Sequence, residues 1–544
     1  MHLEPTGAWW LLGVCAALVV AFLLTAHFTK LKKNVPLFYC WLGAIAVLGG
    51  AAAFFLPIAV NSGFNKVDDG SALRQALLYT TGGLLGVITL GETHRKNNQE
   101  KEKNENDHTR QVYAERRSRY AKAVEQLASE KAAVRLGGIY TLVGLVDEWL
   151  ADDTLGQEEQ QKEGQVIINN LCSYVRSPFP LAEKIEEFEA HKELEELETI
   201  KTIKPENFSK KDSLRFIFLY ERFKDSTKYE KPKNITEDYA ELHEEQDVRR
   251  TIFVEMSKRS STVAKVNQGK VSVLSGAWSD FDFDFSRAPI FYPLNNLTIE
   301  KPNFSSSRFY SDTSFRSTVF TQNANFSGGI FIQNADFRRV IFTQNANFEG
   351  ATFTQNANFR LVNFIQNANF RLATFTRNAD FRLATFTQNA DFRWAAITQR
   401  ADFIRTTFTQ NADFSWAIFT QNAIFGGTIF NQKAHFTGTT FTANVNFSEA
   451  IFKTYMPFFA PREKPRAEFS VQADPQKHNF KTHQGSQPIL LGKAELDGIE
   501  HFIPVGAVLF DPTSWDEESQ DYIDTSEPAK PLDNSGAGEE NTTE

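Results

Sequence analysis

Between Phe304 and Phe452 large apolar residues fall alternately five and six positions apart: Phe348, Phe353, Phe359, Phe364, Phe370, Phe375, Phe381, Phe386 and Phe392, then Ile397 in place of a phenylalanine, then Phe403. The resulting eleven-residue period constrains the fold more than any other feature of the chain. An α-helix does not account for it, because the intervening Asn, Asp, Thr and Gly are poor helix formers. An eleven-residue helical repeat would also need two adjacent apolar columns at 3.6 spacing. Self-similarity at a short fixed period marks a solenoid.

Within NADFRLATF, Ala379 or Ala390 stands two before the phenylalanine, Asp380 or Asp391 just before it, and Arg382 or Arg393 just after. Alternation with period two turns Phe and Ala inward and puts Asp and Arg outside. Corners such as Gln355-Asn356 and Gln388-Asn389 carry a residue that tolerates left-handed geometry, and the turns are expected there. Four sides would make a square coil of about 22 residues, and two a flat coil of eleven with little room for facing rings. At ~4.8 Å per strand, roughly seven square coils rise ~33 Å. A buried Phe contributes ~1.5–3 kcal/mol against ~1–2 kcal/mol for each backbone residue fixed, so coils persist only by stacking on neighbours.

The units NANFEGATFTQ, NANFRLVNFIQ, NADFRLATFTQ and NADFSWAIFTQ resemble the pentapeptide-repeat family, in a phenylalanine-rich form with an extra residue in alternate units. The resemblance covers about a quarter of the chain and implies a right-handed quadrilateral β-helix with the 22-residue coil. AVEQLASEKAAVRLGGIYTL is similar to the helical segment joining membrane spans to repeats in bacterial membrane-anchored members, and Asp247-Val248-Arg249-Arg250 resembles the element before their solenoid.

Toward the N-terminus, Trp9 to Phe28 is about twenty apolar residues, ~30 Å as a helix, which matches a bilayer core. A signal peptide fits less well, since Met1 to Ala8 carries Glu4 and no Lys or Arg. Val35 to Val60 reads as a second span, with Gly49, Gly50 and Ala51 to Ala53 as a small-residue face for helix approach. Leu73 to Gly91 reads as a third, with Gly82 and Gly86 able to face a neighbouring span. Lys30, Lys32 and Lys33 follow the first run and Arg95, Lys96, Lys101 and Lys103 follow the third. The positive-inside rule then places the N-terminus outside and the repeat in the cytoplasm.

The expected organisation is a multi-pass α+β chain. A membrane domain occupies 1–92, with spans at about 9–28, 35–60 and 73–91, and a charged linker and helical domain occupies 93–265. A cap with an irregular first coil follows at 266–303, then the β-helix at 304–452, a C-terminal cap at 453–510, and a disordered acidic tail at 511–544. Ser129 is expected to cap a helix, and Gly137-Gly138 to allow a close helix contact rather than to mark a ligand loop. Glu186, Glu187, Glu189, Glu193, Glu195 and Glu196 read as one solvated helix face. Ser272 to Phe285 alternates like a strand of the first coil. Segments near Ile489 to Leu491 and His501 to Leu509 could add capping strands.

No catalytic constellation stands out. There is no HExxH, GxSxG or phosphate loop, the ten His are scattered, and Cys15, Cys40 and Cys172 are too far apart for a metal knuckle. No enzyme activity, cofactor, metal, small-molecule substrate or nucleic acid is expected. The pattern instead suits a membrane-tethered scaffold that binds a protein partner or itself. Its candidate surface is Leu361, Leu372, Leu383, Trp394 and Trp416, each two positions after an inner Phe and expected to face outward. Two other readings compete with it. A DNA mimic, as in gyrase-protecting members of the family, needs an acidic rod. Here Arg338, Arg339, Arg360, Arg371, Arg377, Arg382, Arg393, Arg400 and Arg405 outnumber Asp336, Asp380, Asp391, Asp402 and Asp413. Ice binding is suggested by Thr-Phe-Thr triplets such as 352–354 and 385–387, but these fall on two faces in interrupted columns.

Overall fold

The computed structural model describes residues 4–28, 37–61, 69–203, 205, 210–224, 233–267, 270–460, 466–519 and 521–532. Lys30, Lys32, Lys33, Lys66 and the last twelve residues, on which part of the topology and tail expectations rest, lie outside them. The chain divides into two units, Met1–Arg117 and Ser118–Glu544.

In the first unit, α1 (Pro5–Phe28) and α2 (Leu37–Ala59) are joined by a hydrogen bond from Trp9 Nε1 to Ala59 O at 3.1 Å. Helix α3 (Asp69–Leu127) runs antiparallel to α2, with Arg74 over Phe54, Thr81 against Gly49 and Lys96 over Tyr39. Gly49 is the point of closest approach, since a Cβ there would lie 2.2 Å from the Thr81 side chain. Gly82 and Gly86 have open space around them instead of a facing helix. Among the described residues two helices are long and apolar enough to cross a membrane, Pro5–Thr25 and Phe38–Ala59. The third expected span, 73–91, is helical but less apolar, diluted by Gln75, Thr80, Thr81 and its glycines.

The second unit begins with helices packed on the foot of a solenoid. Helix α4 (Ala132–Leu150) meets the end of α3 at Gly138, where a Cβ would sit 2.8 Å from Ala123 O. Its N-cap is Lys131 rather than Ser129, whose Oγ accepts the Lys131 N–H. Helix α5 (Gln157–Arg176) buries Ile167, Ile168, Leu171 and Val175. Helices α6 (Pro180–Ile203) and α7 (Lys210–Phe223) form a hairpin around Ala190, Leu197 and Leu219. The acidic face of α6 is not simply solvated: Glu186 is buried under a two-point contact from Arg222, and Arg215 grips Glu193 in the same way. Helix α8 (Ile235–Arg259) ties the helices to the first coil. Its buried Arg249 binds Glu245 and the Val175 and Ser177 carbonyls, and Arg250 donates to Pro293 O.

The alternating stretch 272–285 is split. Lys270–Leu274 pairs antiparallel with Thr262–Asn267, and the coil begins only at Phe283. Between them the chain crosses the end of α8 at Gly276, where a Cβ would lie 2.3 Å from Arg259 O. From Phe283 four parallel sheets, of eight, ten, seven and eight two- or three-residue strands, wrap one core. Partners are 22 residues apart, as in Ala346 with Ala368 and Phe353 with Phe375, which settles for the square coil. Phenylalanines of successive coils stack, for example Phe348 on Phe370 at 4.9 Å and 1°, while neighbouring columns meet edge to face, Phe359 to Phe370 at 5.4 Å and 88°. Where Ala or Val stands two before a Phe it is about as buried as the ring, Thr318, Thr406, Thr428 and Thr439 fill that place elsewhere, and Ile397 takes its place in the stack between Phe375 and Phe419.

At the far end Glu468–Ser470 and Val508–Phe510 extend one sheet, and the hairpin of Leu491–Leu496 with Ile499–Pro504 lies beside them. Ordered structure continues past 511, contrary to the expected tail. Trp515–Asp516 pairs with Asp521–Tyr522, and Lys530–Pro531 joins the cap hairpin, because Tyr522 packs on Phe510 and Trp515 and Ala529 is buried.

Candidate interaction surfaces

Two kinds of corner alternate around each coil. At six-residue sides the Asn side chains form ladders, Asn356 to Asn334 at 3.1 Å and Asn378 to Asn356 at 3.0 Å, and the backbone does not enter the left-handed region. Corners fall there as expected, but without the left-handed geometry that Asn tolerates. The tighter five-residue corners need that geometry, and it falls on Ser306, Ser317, Gly328, Arg339, Gly350, Leu361, Leu372, Leu383, Trp394, Arg405, Trp416, Gly427, Gly438 and Glu449, each eleven after the last. The Asn or Asp three positions earlier prepares the turn by accepting the backbone N–H two residues on, as Asp380 does from Arg382 at 3.0 Å and Asn369 from Arg371 at 2.9 Å. Glycine adopts this conformation freely, whereas a bulky L-residue there costs about 1–2 kcal/mol. The sequence signal was present in Gly328, Gly350, Gly427 and Gly438, spaced at multiples of eleven.

The five candidate residues therefore all occupy strained corners. They form two columns, as expected: Leu361 and Leu383 on one corner, Leu372, Trp394 and Trp416 on the opposite one. The latter are 48%, 46% and 41% exposed, and the two indoles stack at 4.8 Å and 2°. Ile418, next to Trp416 on the adjoining sheet, is exposed too. In its column this ridge is preceded by Gly328 and Gly350 and followed by Gly438, so its profile steps from small to large and back. Trp residues are favoured at binding hot spots, and contiguous exposed apolar surface marks interaction sites.

Several arginines of the outer surface are paired with acids: Arg338 with Asp336, Arg382 with Asp380, Arg393 with Asp391 at 2.6 Å each, Arg400 with Asp402 at 2.7 Å and Arg371 with Glu349 at 3.3 Å. The surface is thus a lattice of local pairs rather than a field of one sign. Thr352 pairs with Thr374, but Ala396 and Ile418 follow; on the opposite sheet Thr385 pairs with Thr407 between Asn363 and Ile429. Neither threonine column is continuous.

A polar groove lies between the α6–α7 hairpin and one Asn-bearing corner, lined by Glu193, Asp212 and Arg215 on the helices and by Gln333, Gln355 and Arg377 on the coils. Burial and the facing Arg215 hold the Arg377 guanidinium below its ordinary range. Hydrogen-bonding groups repeated once per coil can engage an extended chain. Cys172, pushed up to about 12 by burial, is a packing residue. Among the described residues no three His, Cys, Asp or Glu side chains are grouped to hold a metal.

A four-sided parallel β-helix with a phenylalanine core, Asx-prepared corners and a 22-residue register defines the class of this domain. The family model for pentapeptide repeats matches it in nine copies, over 337–383, 348–395 and 370–415. The β-helix is therefore a pentapeptide-repeat solenoid of the phenylalanine-rich kind. No curated protein and no solved structure matches the chain.

Proposed function

We propose that the chain is a membrane-anchored scaffold whose solenoid binds protein on the cytoplasmic side, without catalysis. The observation that carries this is the ridge of Leu372, Trp394 and Trp416, held half-exposed in a backbone conformation that glycine fills elsewhere in the same column. Strain of this kind, unrepaid by burial within the chain, points toward a use outside it. Anchoring is supported by the two apolar helices and by the course of α3. Helix α2 is 23 residues long, ~34 Å, and α3 keeps contact with it from Arg74 to Lys96. If α2 crosses a bilayer, that part of α3 accompanies it across. A DNA-mimic role is disfavoured by the locally neutralised surface.

Replacing both indoles by the residue the corner prefers tests the reading. Trp394→Gly with Trp416→Gly relieves backbone strain while losing half-buried rings and gaining chain entropy, so stability should stay within about 1 kcal/mol per site. Co-purification of a protein partner, or self-association, should be lost while circular dichroism and melting are retained. Unchanged association in the double variant refutes the proposed surface.

A further inference from the structure

The stepped profile of the ridge column is self-complementary. Read along the solenoid, its corner residues are Gly328, Gly350, Leu372, Trp394, Trp416 and Gly438, and the first five donate to the next coil, as Gly350 N to Arg371 O and Trp394 N to Ser415 O. Successive coils at this corner are separated by the 4.8 Å of the indole stack. The space a side chain would occupy at Gly350 is empty, and at Gly328 it meets only Ser306 Oγ at 3.5 Å. Three large residues thus stand beside a notch two coils deep.

We propose that the partner of this ridge is a second copy of the chain, docked corner to corner with antiparallel solenoid axes about a two-fold through Leu372. This rests on the reading of the ridge as an interaction surface. In that register Leu372 meets its own counterpart, Trp394 of each copy sits over Gly350 of the other, and Trp416 sits over Gly328. Isologous contacts need a surface complementary to itself under rotation, and knobs beside notches meet that need.

The charges flanking the column agree with the register. The residues just before the corner positions are Ser327, Glu349, Arg371, Arg393 and Ser415. The same rotation brings Arg393 of one copy to Glu349 of the other and Ser415 to Ser327. Arg371 approaches its counterpart at the axis, and each brings its own Glu349, 3.3 Å away, as counter-charge. Asp391 and Asp413 face Asn347 and Asn325, which are neutral. A parallel two-fold would run along the ridge and set Trp394 on Trp394 and Gly350 on Gly350, leaving the notches unfilled, so the match of knob to notch selects the antiparallel arrangement.

The test uses the full chain in detergent or nanodiscs, with Cys15→Ala, Cys40→Ala and Cys172→Ala to clear the background. Under mild oxidation Leu372→Cys should form a disulfide dimer by itself. Glu349→Cys and Arg393→Cys should cross-link only when differently tagged copies of the two are mixed. Gly350→Leu is the second arm. The corner accepts Leu at the same φ in Leu372, so the fold should stand; filling the notch should weaken self-association at least tenfold although apolar surface has been added. Equal self-cross-linking of Glu349→Cys and Arg393→Cys alone overturns the antiparallel register. Absence of any cross-link, or a Gly350→Leu chain that associates as before, overturns the dimer. If in that case Trp394→Gly with Trp416→Gly still strips a different protein from the chain, the scaffold reading stands without it; if that variant loses nothing, both fail.

Discussion

A phenylalanine inside the coil makes two kinds of contact, a parallel stack with the rings above and below and edge-to-face contacts with rings on neighbouring walls. Phe381 shows both: it stacks on Phe359 and Phe403 at 4.9 and 5.0 Å and meets Phe370 and Phe392 edge-on at 5.4 Å. Removing it leaves a cavity that rigid coils above and below cannot close, so Phe381→Ala should cost ~3–5 kcal/mol. Its chain neighbour Arg382 lies outside, its guanidinium nearly half exposed in an ion pair with the better-covered Asp380, so the pair adds little. Arg382→Ala should change stability by less than ~1 kcal/mol. Chemical denaturation of the two variants compares them directly, and equal shifts would contradict the inward stacking of Phe381.

At the scale of elements, the C-terminal cap closes the core with histidines where the coils use phenylalanine. His501, on the strand Ile499–Pro504, is fully buried, and its ring lies 6.0 Å from that of His478, which packs against Phe469 and Phe480. Burial, and then the neighbouring His501, bring His478 down to about 4, with Asp474 offsetting part of this; burial lowers His501 as well. The opened cap titrates near the ordinary histidine value of about 6.5. It therefore binds more protons than the closed cap between about pH 6.5 and 4, and cap stability falls as pH drops through that window. Hydrogen exchange, corrected for intrinsic rates, should show residues 491–504 losing protection between pH 7.5 and 5 while the middle coils keep theirs, and His501→Phe should flatten the response. The histidines carried no signal of this kind in one dimension, because 478 and 501 meet only through the cap hairpin. The Phe ladder was legible for the opposite reason, since contacts between residues 22 apart repeat at every coil. The hydrogen-bonding order of the corners was half legible. Asn and Asp announced turns, but Leu372, Trp394 and Trp416 disguised the left-handed positions, and only the interspersed glycines gave them away. The pairing of Glu186 with Arg222 was hidden in the same way, in two helices whose charge patterns each look solvated alone.

For the whole molecule, if the chain is anchored as proposed, the decisive quantity is the number of times it crosses the bilayer. The two strongly apolar helices alone would return the chain to the side on which it began. The stretch from Arg74 to Lys96 decides between that and a third crossing. Its own composition is ambivalent, yet Leu84, Val87 and Leu90 are exposed along a helix whose other face lies on α2. Exposed leucine and valine beside an apolar helix suit lipid better than water, and Gly49 lets the two backbones approach as small residues do between spans. The cationic residues agree with a crossing: Lys30, Lys32 and Lys33 fall between the first two helices, and Arg95, Lys96, Lys101 and Lys103 follow the third stretch. With three crossings both clusters lie on the cytoplasmic side, as the positive-inside rule requires. With two, the clusters lie on opposite faces and the solenoid is outside whenever the N-terminus is. Reporter fusions after Lys66 and after Arg119 should therefore read opposite compartments, external and cytoplasmic respectively. If both report the same side, α3 does not cross, and the solenoid lies on the side that they report.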